Sequence, residues 1–362
     1  MTDFMTKNKE KLEQFAAMSQ AAGSRSDYVQ GGGGNTSVKL ADGLMAIKAS
    51  GYCLSDIRPD KAYAVLDYEA LRRFYYGNEP AQLADVEKLG SACAKENTKL
   101  IEGMDALRPS VEAGFHSILK TFVCHTHSVY ANLAACSTAC CEIAEKAFNG
   151  ADYTWGWVPY TDPGANLTFA IRDELRRVGE KTGKVPSVIL MQNHGIIVHD
   201  DDAERCLAIH ADANERLAQQ FGIHGDSFPA ISVRQTGEEL YEADTPYLRE
   251  ALKNCRYDYK AFIEMPLYPD QMVFLIGTFF MDKEGTPAEG ECYADTRTGA
   301  LVLHMGEKKA KTITETLTAV IFIMDTVAKM GYTVSTMGEA AKSFIANWES
   351  EKYRKSLAGK KG

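Results

Sequence analysis

The 362-residue sequence has no excess of positive charge: 40 Lys and Arg stand against 49 Asp and Glu, a formal net charge of −9. Nucleic-acid affinity rests on a footprint of basic side chains, so a phosphodiester backbone is excluded as the expected partner. No apolar run approaches the roughly 20 residues that cross a bilayer, and Met1 to Glu10 is polar without a signal-peptide core. The expectation is a cytoplasmic protein that touches neither membrane nor nucleic acid. Nine cysteines, an odd number, run from Cys53 to Cys292 with no CxxC pair, which fits a reduced compartment better than a disulfide framework. Cys136, Cys140 and Cys141 invite a metal reading, but their spacing in the Ala-rich stretch Ala131 to Ala147 favours thiols packed on a helix. Internal repeats and low-complexity tracts are also missing. The glycine-rich run Gly31 to Gly34 is neither G-x-G-x-x-G nor a P-loop, so it is no nucleotide fingerprint.

What is present is an ordinary globular composition, 45% hydrophobic and 25% charged, in a chain long enough for two domains. Apolar spacing predicts a helix over Lys9 to Ala22, ended by Gly23, and a β-hairpin of Thr36 to Leu40 and Leu44 to Lys48 across Ala41-Asp42-Gly43. Further along, Ser110 to Leu119 reads as helix, Thr121 to His127 as a buried strand and Ser128 to Ala147 as helix. Strands Val188 to Met191 and Ile196 to Val198 follow, then a helix from Ala203 to Gln220 with N-cap candidates at Asp200 to Asp202. The mixture predicts an α/β layered sheet with helices on its faces. Gly225, Pro229 and Gly237 interrupt the pattern, so a first domain over 1–225 and a smaller C-terminal α+β domain over 226–362 are expected. The latter reads as a β pattern over Gln271 to Met281, a hairpin (Cys292 to Asp295, Ala300 to His304), helices Lys309 to Met330 and Gly338 to Glu351, and a basic tail from Lys352 to Gly362.

The strongest chemical signal is His125-Thr126-His127. Side chains alternate along a strand, so both imidazoles project to one side, close enough to grip one metal ion. An H-x-H pair alone also suits structural histidines satisfied by backbone groups. A third histidine, His194 in Asn193-His194-Gly195, follows the apolar strand Val188 to Met191 at a strand end, where sites on layered sheets open. Three neutral imidazoles suit zinc and leave a fourth position for substrate. Glu112, in Arg108-Pro109-Ser110-Val111-Glu112, sits at a predicted helix start with His116 one turn on; dipole effects alone put acids there, but this helix leads directly into the His125 strand. Consecutive glycines at Gly31 to Gly34 bring backbone N–H groups toward an anion, with Asn35 and Ser37 as side-chain donors, and Ala49-Ser50-Gly51 can complete the pocket.

Gly33-Gly34-Asn35-Thr36-Ser37, Lys48-Ala49-Ser50-Gly51, Arg108 to Glu112 with His116, His125-Thr126-His127-Ser128, Pro159-Tyr160 with Gly164, and Asn193-His194-Gly195 together resemble the class II aldolase/adducin family over roughly residues 10–220. The forms GGGNTS and RPSVE look most like the aldolase half of bifunctional rhamnulose-1-phosphate aldolase/short-chain dehydrogenases, though no dehydrogenase fingerprint follows. The resemblance implies one zinc per chain held by His125, His127 and His194, Glu112 as the catalytic carboxylate, and a substrate pocket of Gly34, Asn35, Ser50, Gly51 and Ser110 with Tyr160 as a further candidate. It also implies a homotetramer of fourfold cyclic symmetry. Val111 stands where several members have a second phosphate-binding serine.

The implied activity is zinc-dependent cleavage of a deoxy-ketose 1-phosphate, of the rhamnulose or fuculose type, to dihydroxyacetone phosphate and an aldehyde. A pentulose-phosphate 4-epimerase is the same carbon chemistry followed by re-addition. A non-catalytic adducin-like binding module is the third reading, and loss of the histidines would be its mark.

Overall fold

Asp42 and Gly43 take left-handed backbone angles (φ 59° and 70°), a conformation that Gly and Asp adopt at little cost. The chain folds back there, and β1 (Asn35–Lys39) pairs antiparallel with β2 (Leu44–Lys48), as the hairpin reading expects. The computed structural model describes residues 3–347. Six further strands complete the large sheet: β3 (Tyr63–Asp67), β4 (Thr98–Lys99), β5 (Phe122–Thr126), β6 (Trp155–Val158), β7 (Val188–Met191) and β8 (Gly195–Asp200). Their order is β4-β3-β2-β1-β5-β8-β7-β6. Every neighbouring pair is antiparallel except β6 and β7.

All five residues of β5 are buried, because helices cover both faces of the sheet centre. Phe122 and Cys124 share one core with residues of the helices Lys9–Gly23, Val129–Ala135 and Ala203–Gln219. Val123 points the other way, into a core with Phe115, Leu167, Ile171 and Ile197. This is the layered architecture that the alternating pattern predicts.

Two expected helices differ in extent. Ser110 to Leu119 is helical only over Ala113–Ile118, because Pro109 bridges to Ala49 and the Ser50 N–H donates to Arg108 O (2.9 Å), tying the preceding backbone to the turn after β2. Ser128 to Ala147 splits into Val129–Ala135 and Cys140–Ala147. Between them Thr138 N–H donates to Thr333 O (3.0 Å) and Ser335 N–H to Cys136 O (2.7 Å), so a distant segment takes the hydrogen bonds a continuous helix would use. Cys136 and Cys140 are buried thiols and Cys141 is exposed.

The C-terminal part carries a second sheet: β9 (Val233–Gly237), β10 (Leu240–Ala243), β11 (Phe279–Met281), β12 (Cys292–Asp295) and β13 (Ala300–His304), in the order β11-β12-β13-β10-β9. The β12–β13 hairpin forms as expected. The β pattern over Gln271 to Met281 does not: Pro269–Leu275 is a helix with proline in its first turn, and only the last three residues extend as β11. A long buried helix, Glu307–Lys329, packs on Val129–Ala135 and on Pro269–Leu275. Ile313 and Leu317 share a core with Leu12 and Phe15, so hydrophobic contact is continuous between the two parts. The last described helix is Glu339–Asn347; the remainder of the expected Gly338 to Glu351 helix and the Lys352 to Gly362 tail lie outside the described residues. Among the described residues no helix is long and apolar enough to cross a membrane.

Candidate metal centre

Strand register brings the sequence-separated motifs together. Asn35 of β1 lies opposite His125 of β5, and Thr126 lies opposite Ile196 of β8. The turn joining β7 to β8 carries His194, with Asn193 left-handed at φ 50°. A Cβ on Gly195 would stand 2.3 Å from Thr126 O, so only glycine lets this turn close on the end of β5. Side-chain alternation turns His125 toward Phe115, whose ring lies edge-on at 5.7 Å.

The result is a buried cluster in which ligand atoms of His125, His127 and His194 all lie within 4.8 Å of one another. Nδ1 of His125 donates to Ile196 O (3.0 Å), and Nδ1 of His127 donates to Asp270 Oδ2 (2.5 Å). A carbonyl and a carboxylate only accept, so Nδ1 of each ring carries a proton. The two Nε2 atoms then face each other across 3.2 Å. Two ligand nitrogens about 2.05 Å from a tetrahedral zinc stand about 3.3 Å apart, close to that separation. Burial pushes the His125 pKa down to about 4 and that of His194 well below its ordinary value, leaving both as neutral ligands at pH 7.

Glu112 closes the fourth side. Its Oε1 is 3.3 Å from His194 Nε2 and its Oε2 is 3.5 Å from His125 Nε2. Oε1 is buried and makes no hydrogen bond among the described residues, as does Nδ1 of His194; an orphaned carboxylate oxygen facing three imidazoles is what a cation site leaves. Burial raises the Glu112 pKa, but the three histidines and the Asn35 amide outweigh it, and the group sits below the usual carboxylate range. The side chain is oriented by a directional chain: Ser37 Oγ donates to His116 Nδ1 (2.7 Å), His116 Nε2 donates to Asn35 Oδ1, and Asn35 Nδ2 donates to Glu112 Oε2 (2.6 Å). Burial drives the His116 pKa well below its ordinary value, so the ring stays neutral and keeps one donor and one acceptor. Asn35 Nδ2 also reaches Ser110 Oγ (3.1 Å).

The cluster opens to a pocket of about 50 Å³ lined by Gly34, Asn35, Ser50, Gly51, Ser110, Glu112, His127 and His194, together with Gly32, Lys48, Val111, Pro163 and Pro269. Of the residues singled out from sequence, Tyr160 stands apart: its hydroxyl donates to Asp162 Oδ1 (3.2 Å), and it lines a different cavity with Asp162 and Asp173. The glycine run is also only partly available to a ligand, since Gly31 N–H is held by Glu315 Oε2 (3.0 Å) and Gly33 N–H by Gln30 O (3.0 Å). Ser37 is likewise engaged with His116. Lys48 was not foreseen as a pocket residue; its Nζ donates to Gly32 O (3.2 Å) and Tyr52 O (2.8 Å), and its one sequence signal is a charge at a buried strand position. Pro269 and Asp270 carry no local signal at all. A larger cavity of about 720 Å³ shares Ser110 and Val111 with the pocket.

Residues 13–221 match the family described as the class II aldolase and adducin N-terminal domain. Among solved structures, the N-terminal class II aldolase domain of a conserved protein from Thermoplasma acidophilum is 20% identical, over 57% of this chain and 92% of that one, at a TM-score of 0.47. L-fuculose 1-phosphate aldolase from Glaciozyma antarctica is 12% identical over 61% of this chain and 76% of its own, at 0.38. L-fuculose-1-phosphate aldolase from Thermus thermophilus is 15% identical over 58% and 93%, at 0.34. No curated protein matches.

Proposed function

The chain belongs to the class II aldolase and adducin family, and from that premise we propose that it is a zinc-dependent aldolase cleaving a deoxy-ketose 1-phosphate to dihydroxyacetone phosphate and an aldehyde. The observation that carries this reading is the convergence of three buried histidines on a carboxylate, with the Nε2 atoms of His125 and His127 3.2 Å apart. His125, His127 and His194 would hold the ion. Bound zinc would supply a Lewis acid for the negative charge that develops on the sugar oxygens as the C3–C4 bond breaks.

The chain's own residues do the rest. Cleavage transfers one proton, from the C4 hydroxyl to C3, while the C3–C4 electron pair stays with the three-carbon product. Glu112 would carry that transfer: it is ionised at neutral pH, and its Oε1 makes no hydrogen bond among the described residues. Asn35, held in turn by His116, fixes which oxygen is free by donating to Oε2. Pro163 and Pro269 wall the pocket.

The phosphate is the least provided-for part of the substrate. Val111 offers no donor, and Gly31 already carries the Glu315 carboxylate. Gly32, Gly34 and the Lys48 ammonium, which already donates to Gly32 O and Tyr52 O, line the pocket that would receive it. The sugar's remaining carbons would extend past Ser110 and Val111 into the 720 Å³ cavity, because small-molecule sites occupy about 300–1,000 Å³ and the metal pocket alone is far smaller. We also propose the division at 225/226, a homotetramer and a cytoplasmic location as parts of the same reading. The test is incubation of the zinc-loaded protein with rhamnulose and fuculose 1-phosphates. Dihydroxyacetone phosphate release supports the aldolase; epimerised ketose without cleavage, or no turnover of either sugar, contradicts it.

A further inference from the structure

The family match ends at residue 221, yet one side chain in direct contact with the histidine cluster comes from beyond it. We propose that Asp270 is a positioning residue for the metal centre, and that the C-terminal part of the chain is thereby built into the site. This rests on the metal reading above and deepens it.

Asp270 is fully buried, in the first turn of the Pro269–Leu275 helix, and its Oδ2 accepts the Nδ1–H of His127 at 2.5 Å. That bond selects the tautomer whose Nε2 is bare, fixes the ring plane and makes the imidazole a stronger donor, as carboxylates behind metal-bound histidines do. His125 gets the weaker equivalent, a backbone carbonyl. The segment is held rigidly against the site: Asn193, next to His194, donates from Nδ2 to Leu267 O (2.8 Å), and Gln271 bonds both Leu267 N (2.8 Å) and Phe262 O (2.8 Å). The first part of the chain is shaped to receive the carboxylate. A Cβ on Gly33 would lie 2.3 Å from Asp270 Oδ2 and 3.0 Å from His127 Nδ1. The φ of Gly33 is one that any residue can adopt, so what the glycine provides here is room for this contact.

The test uses the full chain and zinc alone, by competition with a chromophoric chelator at one fixed pH. The variants are Asp270→Asn, Asp270→Ala and Gly33→Ala, with the unfolding midpoint of each metal-free protein measured beside the zinc Kd. Loss of the partner behind a metal ligand weakens metal binding by about 10- to 100-fold. We expect that loss in Asp270→Ala and Asp270→Asn, and in Gly33→Ala because the new methyl displaces the carboxylate. A carboxylate that only braced the fold would move the metal-free midpoint and leave the Kd of the folded protein unchanged; equal Kd values in wild type and in whichever Asp270 variants fold overturn the proposal, with Gly33→Ala reporting on the contact if neither does. Wild-type protein that takes up no zinc would instead overturn the metal reading itself.

Discussion

The end of the large sheet and the face of the small one treat polar side chains in opposite ways. At the first, His125, His127, His194, Glu112, Asn35 and Asp270 are each no more than 5% exposed. On β9 the polar residues Arg234, Gln235 and Thr236 stand in solvent, and Arg234 pairs with Glu242 at 2.9 Å across the surface, an arrangement worth about 0–1 kcal/mol. Burying an imidazole or carboxylate costs several times that unless something compensates. Site and scaffold are separate except where the C-terminal part reaches the site, with Asp270 on His127 and Pro269 in the pocket wall.

The largest effect that can break this contrast is loss of a ligand. His125→Ala should abolish turnover, whereas Leu301→Ala, in the core of the small sheet, should lower stability by about 2–5 kcal/mol and leave kcat of the folded protein unchanged. Steady-state kinetics beside urea unfolding measures both; a comparable fall in kcat for both variants would erase the distinction. Next in size, Glu112→Gln keeps the shape and removes the base, and kcat should fall by about 10²- to 10⁴-fold while zinc stays bound. Near wild-type kcat would return Glu112 to the role of a helix-start residue.

A pH titration of the metal-free protein sharpens the contrast further. Folded His125 titrates at about 4 against 6.5 in the unfolded chain, so between those values the unfolded chain binds the extra proton. Stability therefore rises with pH through that window and is lost as pH falls from 6.5 to 4, by about 3 kcal/mol for this group. His199 and His210, each at about 3, act in the same direction. Urea midpoints that stay flat across pH 4 to 6.5 would contradict it. The smallest expected effect is at the phosphate end: Lys48→Met should lower kcat/KM for a ketose 1-phosphate by about 10- to 100-fold, the share of one bond to a charged group, and leave the free ketose unaffected. Equal values for phosphorylated and free sugar in the wild type would remove phosphate from the substrate.

What could be read from the sequence follows the same division. His125 and His127 were legible because the two-residue period of a strand puts both on one face; His194 was legible from the strand before it. The β12–β13 hairpin was legible from its turn residues. Asp270 was not, since its partner is 143 positions away and a single long-range contact leaves no period. The break at Cys136 to Ala139 escaped for the same reason, being imposed by Thr333 and Ser335. The helix Ala165–Thr182 was missed although Leu167, Ile171, Leu175 and Val178 recur at helical spacing. Its apolar face is interrupted by Arg172, which is buried and donates to Tyr75 O and Asn78 O (both 2.8 Å), a charge that local patterning assigns to solvent.

The central claim is that the three histidines form a metal centre, and elemental analysis of protein purified without chelator tests it most directly. The account predicts about one zinc per wild-type chain and almost none in folded His125→Ala. Wild-type protein free of transition metal, and unable to take up zinc when it is supplied, would contradict it.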